Sequence, residues 1–384
     1  MSTKKYNWAK WLAALLMAAL LCGCAGKENA PQTKETAWDA LKFESGMELL
    51  YAEQFTAQKD AGGYQKITIA GKETYLLVPE GAPVPSGVPE SVTVLQQPLD
   101  SIYLVATSAM DLLRELNAID RVRLSGTNAS GWYIEEAKQA IEDGRMLYAG
   151  KYSTPDYELI LAEGCDLAVE STMIYHTPEV KEQLERFGIP VLVEYSSYES
   201  HPLGRMEWIK LYGALLGKEQ EAQAFFDRQM EKLAPILTQE NTGKTVAFFY
   251  VTSSGAVNIR KPGDYIAKSI GLAGGSYVPE NLSADENALS TMNMQMEAFY
   301  DGARDADVLI YNSTIDAELQ TIDQLLAKSK VLADFKAVQE GNVWCTGKSM
   351  FQESLGLGDF IEDVHTILTS QNPENLNYLY RLEK

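Results

Sequence analysis

Cysteine and histidine are scarce in this chain. Two of its four cysteines fall within the first 24 residues, and the others, Cys165 and Cys345, lie far apart, each beside a strand-like apolar run. A disulfide framework is therefore absent. A bridge between these two stays open for a chain outside the cell, although two buried, reduced thiols acting as small core residues is the favoured reading. Three histidines, His176, His201 and His365, are too few for a His-rich zinc or manganese cage. Neither His-Glu-x-x-His nor Gly-x-Ser-x-Gly occurs. Gly213-Ala-Leu-Leu-Gly-Lys218 is one residue short of a phosphate loop, lacks the following Ser or Thr and lies between helical patterns, so it reads as a turn. Acidic pairs such as Asp285-Glu286 read as solvated surface before glycosidase carboxylates. No catalytic residues, resident cofactor or protein-bound metal are expected. Positive charge is also short: 33 basic residues face 53 acidic ones, for a net charge of −20. Such a field repels nucleic acid and anionic head groups.

Long hydrophobic runs are missing as well. The apolar stretch Trp11 to Cys22 falls well short of the ~20 residues that cross ~30 Å of hydrocarbon, which argues against a permanent transmembrane anchor. Lys4, Lys5 and Lys10 precede it, and Leu21-Cys-Gly-Cys24 follows. Charged, greasy and cleavable segments in that order make an export signal, and its end resembles a lipobox, whose cysteine is acylated after cleavage. Residues 1–23 are thus expected to be a lipoprotein signal peptide and Cys24 the lipidated N-terminus. Plain secretion with Cys24 as a free thiol is the alternative. Cleavage removes three lysines and no acid, so the charge moves from −20 to −23. Residues 24–45 begin polar, as AGKENAPQTKETAWDA, and read as a flexible tether.

Beyond the tether, short apolar strands alternate with amphipathic helices, which predicts parallel sheets covered by helices. An opening hairpin pairs Lys66–Ile69 with Thr74–Val78, and strands follow at 102–105, 122–124, 167–169 and 191–193. Ser108-Ala-Met-Asp111 resembles a capping box opening a helix to about Leu116. Trp208, Leu211, Tyr212 and Leu215 fall at helical spacing. Gly217-Lys218 breaks the pattern, and Ala222, Phe225, Phe226, Met230 and Leu233 resume it. A helix of about twenty residues spans ~30 Å, enough to bridge two lobes as a strut. The mature chain exceeds the ~250–300 residues at which single cores stop growing. The expected fold is therefore α/β, with two Rossmann-like lobes joined by a single long α-helix. Residues 46–204 form the N-terminal lobe, 205–240 a short helix plus the strut, and 241–384 the C-terminal lobe.

Asp156-Tyr-Glu-Leu-Ile-Leu161 followed by Cys165-Asp-Leu-Ala-Val169, with Ile189-Pro-Val-Leu-Val193, Trp208 to Lys218 and Gly263-Asp-Tyr265 leading to Ala273-Gly-Gly275, resembles the solute-binding proteins of iron-siderophore, haem and cobalamin ABC importers. Each motif is soft alone, but their order is specific and covers about residues 100–370. Glu163-Gly-Cys165 departs from the Lys-Pro that the family often has there, a loop change only. The resemblance implies a monomeric, extracytoplasmic receptor, held to the cell membrane by lipid alone, that delivers a small-molecule metal chelate to the permease subunits of an importer. An iron siderophore is the leading ligand, with haem or a corrinoid as alternatives; an extracellular two-lobed α/β hydrolase is the rival class. The family also implies one docking glutamate per lobe, which by motif fall on Glu158 and Glu297. Read without the family, both are ordinary helix-surface acids.

Ligands of open α/β sheets bind at the carboxyl ends of strands. The loops there carry Trp132, Tyr133, Tyr152, Tyr175 and Tyr195, then Arg205, Arg260 and Phe351, an aromatic set with cations that suits a flat or anionic chelate. For each tyrosine, surface packing is the competing role. His176, Tyr175 and Met292 are the candidate axial ligands for a haem iron.

Overall fold

The computed structural model describes residues 36–280 and 291–384. The proposed signal peptide, Cys24 and Asp285-Glu286 lie outside them. The chain is docked earlier than the tether reading allowed. Trp38 N donates to Ser86 O at 2.9 Å, and Trp38, Leu41 and Phe43 pack on a small core of Tyr64, Leu76 and Val78. Aromatic and leucine side chains within 36–45 supply the apolar area that a free tether lacks.

The hairpin foreseen from sequence is the centre of a five-stranded sheet in the order β1 (Ser45–Gly46), β2 (Phe55–Lys59), β3 (Gln65–Ile69), β4 (Glu73–Val78), β5 (Val92–Gln96). Its strands are antiparallel except for the parallel β4–β5 pair. The N-terminal lobe follows: β6 (Ile102–Leu104), α1 (Ala109–Glu115), β7 (Val122–Ser125), α2 (Glu135–Glu142), β8 (Leu147–Tyr148), the hairpin β9 (Gly150–Lys151) and β10 (Thr154–Pro155), α3 (Tyr157–Ala162), β11 (Leu167–Ser171), α4 (Pro178–Arg186) and β12 (Val191–Glu194). Its sheet runs β12-β11-β6-β7-β8 and is parallel throughout. Both faces are buried, so β12 reads as an unbroken run, Val-Leu-Val-Glu, with every residue buried.

Three helices then leave the lobe: α5 (Pro202–Glu207), α6 (Ile209–Leu216) and α7 (Glu219–Leu237). Gly217, at φ 67°, ends α6 in the left-handed conformation that glycine adopts without strain. The 19 residues of α7 span about 28 Å. This strut buries Ala222, Phe225, Phe226 and Leu233, each large side chain contributing roughly 1.5–3 kcal/mol. The C-terminal lobe contains β13 (Thr245–Val251), β14 (Val257–Arg260), α8 (Tyr265–Leu272), β15 (Ser276–Tyr277), β16 (Thr291–Met294), α9 (Met296–Ala303), β17 (Val308–Tyr311), α10 (Ile322–Lys328), α11 (Lys336–Glu340), β18 (Val343–Thr346), α12 (Leu357–Thr369) and β19 (Leu379–Arg381). Its sheet is mixed where the alternating pattern predicted a parallel one. β14 returns antiparallel to β13 through a tight hairpin, and β19 pairs antiparallel with β18. One apolar cluster runs from Leu104 and Leu112 through Trp208 and Phe226 to Phe248 and Phe360, so helices and lobes share a core.

Candidate ligand-binding cleft

The expectation that Ser108 caps α1 fails. Its hydroxyl makes no cap bond and lies 3.5 Å from Glu194 Oε2, while its carbonyl accepts from Ser354 Oγ at 2.8 Å. Asp111 Oδ2 accepts from Leu355 N at 2.8 Å, Asp111 Oδ1 pairs with Arg114 at 2.6 Å, and Arg114 reaches Glu353 at 3.2 Å. The Ser-x-x-Asp sequence therefore joins the lobes, and the pull of tertiary partners exceeds local capping. Burial raises the Asp111 carboxyl to about 6 against the opposing field of Arg114. Gln352 bridges the lobes with both ends of its amide. It accepts from Tyr133 N and donates to Gly131 O, both at 2.8 Å. Lys348 Nζ stands 5.9 Å from the Tyr133 ring.

Between these contacts Arg205, from α5, meets the C-terminal lobe. Its guanidinium lies 4.0 Å from the Tyr265 ring centroid. Arg260, at the end of β14, stands 5.8 Å from the same ring and 4.8 Å from the Phe351 ring. Arg260 has a partner, Asp264 Oδ2, at 3.5 Å. Arg205 makes no ion pair among the described residues. It is 7% exposed and its Nε has no hydrogen-bond partner. Glu194, fully buried, accepts from Ser196 N at 2.8 Å, and burial pushes its carboxyl up against the opposing pull of Arg205. Asp264 is likewise pushed up by burial and held back by Arg260 and Arg205. The buried Tyr212 hydroxyl also lacks a partner. A stacked, desolvated guanidinium with acids nearby but none among the described residues on it can receive an anion.

The other anticipated contacts divide. Arg205 and Arg260 meet over Tyr265, Phe351 lies against Arg260, and Tyr133 is held by Gln352. Trp132 is corrected to a core residue: it is 3% exposed and its indole N–H is spent on Ser125 Oγ and Thr127 O. Tyr175 and Tyr195 form a second group. The Tyr195 hydroxyl donates to that of Tyr175 at 3.1 Å, and the Tyr175 hydroxyl donates to Glu73 at 3.2 Å. Tyr152 is half-buried at the β9–β10 turn, His176 is exposed, and Met292 packs against the C-terminal lobe core. Cys165 and Cys345 are free thiols. Sequence reasoning missed Glu194 and Gln352, which no local pattern flags. It also missed Glu207, which interrupts the apolar series Leu203, Glu207, Leu211 at helical spacing, a detectable signal of a buried charge.

The sequence model of the periplasmic binding proteins matches residues 105–349. This chain belongs to that family. It is similar to an uncharacterised lipoprotein of Methanocaldococcus jannaschii, 23% identical over 94% of this chain and 92% of that one. A periplasmic heme binding protein of Pseudomonas aeruginosa has a similar fold, with a TM-score of 0.57 and 17% identity, covering 74% of this chain and 98% of its own. The periplasmic catecholate-siderophore binding protein of Vibrio cholerae aligns with a TM-score of 0.55 and 12% identity, over 70% and 94% of the two chains. The match starts at residue 105, so the five-stranded sheet β1–β5 of this periplasmic binding protein lies ahead of the matched residues. On its surface Glu158 and Glu297 are exposed, each the second residue of a helix, α3 in one lobe and α9 in the other.

Proposed function

We propose that this periplasmic binding protein is the lipid-anchored, monomeric receptor of an ABC importer, capturing an anionic iron-siderophore-type chelate between its lobes. The observation that carries the reading is Arg205, a buried guanidinium stacked on Tyr265 with no anion of the described residues on it. Arg260, Phe351 and Tyr133 complete the cationic and aromatic lining. Catecholate or carboxylate oxygens pair with the Arg205 guanidinium, and flat ligand faces stack on the rings. The metal travels with the ligand, so no resident cofactor is involved, and the protein binds without chemistry. Glu158 and Glu297 dock the loaded receptor on the permease, and Cys24 keeps it at the outer face of the cell membrane. Tryptophan-fluorescence titration of the mature protein against ferric siderophores, haem and cobalamin tests the reading. Binding of a ferric siderophore at micromolar concentration or below is expected; haem or cobalamin as sole binder reassigns the ligand, and silence across the panel sinks the proposal.

A further inference from the structure

The segment between β1 and β2, ahead of the residues that match the family, touches the helix that carries Arg205. Five consecutive backbone N–H groups, Leu50 to Gln54, all donate to two carboxylates of that region. Leu50, Tyr51 and Ala52 donate to Glu207 at 2.8–3.0 Å. Glu53 and Gln54 donate to Glu199 at 2.8–3.1 Å. Both acids are 0% exposed. Lys210 Nζ adds a bond to Glu207 at 2.8 Å and Trp208 Nε1 one to Glu199 at 2.9 Å. The same segment also presses directly on α5: a Cβ on Gly204 would lie 2.8 Å from Tyr51 O, and the Tyr51 ring stacks on His201 at 4.6 Å.

At about 100° per residue, Gly204 and Glu207 share one face of α5, and Arg205 lies about 200° from Glu207. The N-terminal segment therefore backs the helix, while Arg205 points the other way, over Tyr265. Charge-assisted bonds of this kind are short and strong, and desolvated donors deprived of their acceptor are costly, so the contact fixes the helix in one place. We infer that Glu199 and Glu207 are positioning residues for ligand capture: by clasping residues 50–54 against the back of α5 they hold Arg205 in its stack on Tyr265. The inference rests on the reading of Arg205 as ligand contact, and it gives the segment ahead of β2 a part in binding.

Two readouts on the full mature chain test it. In ligand-free protein, the Nε–H of Arg205, assigned by its loss in Arg205→Lys, is followed by NMR hydrogen exchange. Exchange at least tenfold faster in Glu207→Gln is expected, because an amide turns donors toward the backbone N–H groups. Gly204→Ala, which displaces the same segment without changing charge, should act likewise and serves if the Gln variant does not fold. In the second readout, affinity for a ferric tris-catecholate complex should fall about tenfold in Glu207→Gln, with no further fall when the change is made in Arg205→Ala. A lowered melting temperature with unchanged Arg205 exchange, or losses that add in the double variant, overturns the inference and leaves the acids as structural ties only. If the unaltered protein binds no chelate, the functional reading fails while the exchange measurement still decides the positioning claim.

Discussion

An arginine that is 7% exposed, with an unbonded Nε, is expensive to keep folded. The effective penalty for desolvating an ion is several kcal/mol, and stacking on one aromatic ring returns only about 2 kcal/mol. Replacing it with methionine, which keeps most of the packing, should therefore stabilise the protein while weakening ligand binding. A rise in melting temperature of about 2 °C or more in Arg205→Met is expected by calorimetry; a fall would mean that Arg205 is a structural residue. Glu170 poses a related problem in β11. Both its carboxylate oxygens are buried without partners, and burial raises its pKa from 4.5 to about 8. Below pH 4.5 folded and unfolded chains both hold the proton. Between 4.5 and 8 the unfolded chain alone releases it, so stability drains away as pH rises and levels off above 8. At about 1.36 kcal/mol per pH unit the loss approaches roughly 4–5 kcal/mol. Urea unfolding of Glu170→Gln should show an advantage over the parent that grows by several kcal/mol from pH 5 to pH 8. A constant difference would rule this account out.

Among the elements, those with a strong period were legible in the sequence. The strut was readable because Ala222, Phe225, Phe226 and Leu233 repeat on one face, and β12 because both faces of a parallel sheet are buried. The elements that escaped owe their form to distant partners. The antiparallel strands of the C-terminal lobe look locally like any other apolar run, and Ser108 was drawn from its cap by groups more than 80 residues away. Buried carboxylates that collect backbone N–H groups were invisible for the same reason. Asp363 of α12 repeats the device of Glu207, accepting from Asn377, Tyr378 and Leu379 at 2.6–3.1 Å. Asp363→Asn should therefore loosen the C-terminal strand β19, seen as faster amide exchange at residues 377–381 with the strut unaffected. The arginines of the cleft were found from their loops, and only the fold brings the two of them together over one ring, Tyr265.

For the molecule as a whole, the two lobes share one core through α5 to α7, which suits a receptor whose lobes move little and whose docking surface is preformed. If Glu158 and Glu297 meet basic pockets on a permease, reversing both charges should abolish ligand uptake by cells while leaving the affinity of the purified protein unchanged. Uptake at the normal rate would remove them from that role. If Cys24 carries the proposed lipid, Cys24→Ala should release the protein into the medium with its affinity intact, because the lipid would then no longer hold the receptor near its permease. The central claim is that the cleft captures an anionic metal chelate through Arg205. Parallel isothermal titration of the parent protein and Arg205→Met with a ferric tris-catecholate complex tests it most directly. A dissociation constant in the micromolar range or below for the parent, and one at least thirtyfold weaker for the variant, is the predicted result; equal affinity in the two proteins, or no binding by the parent, would contradict it.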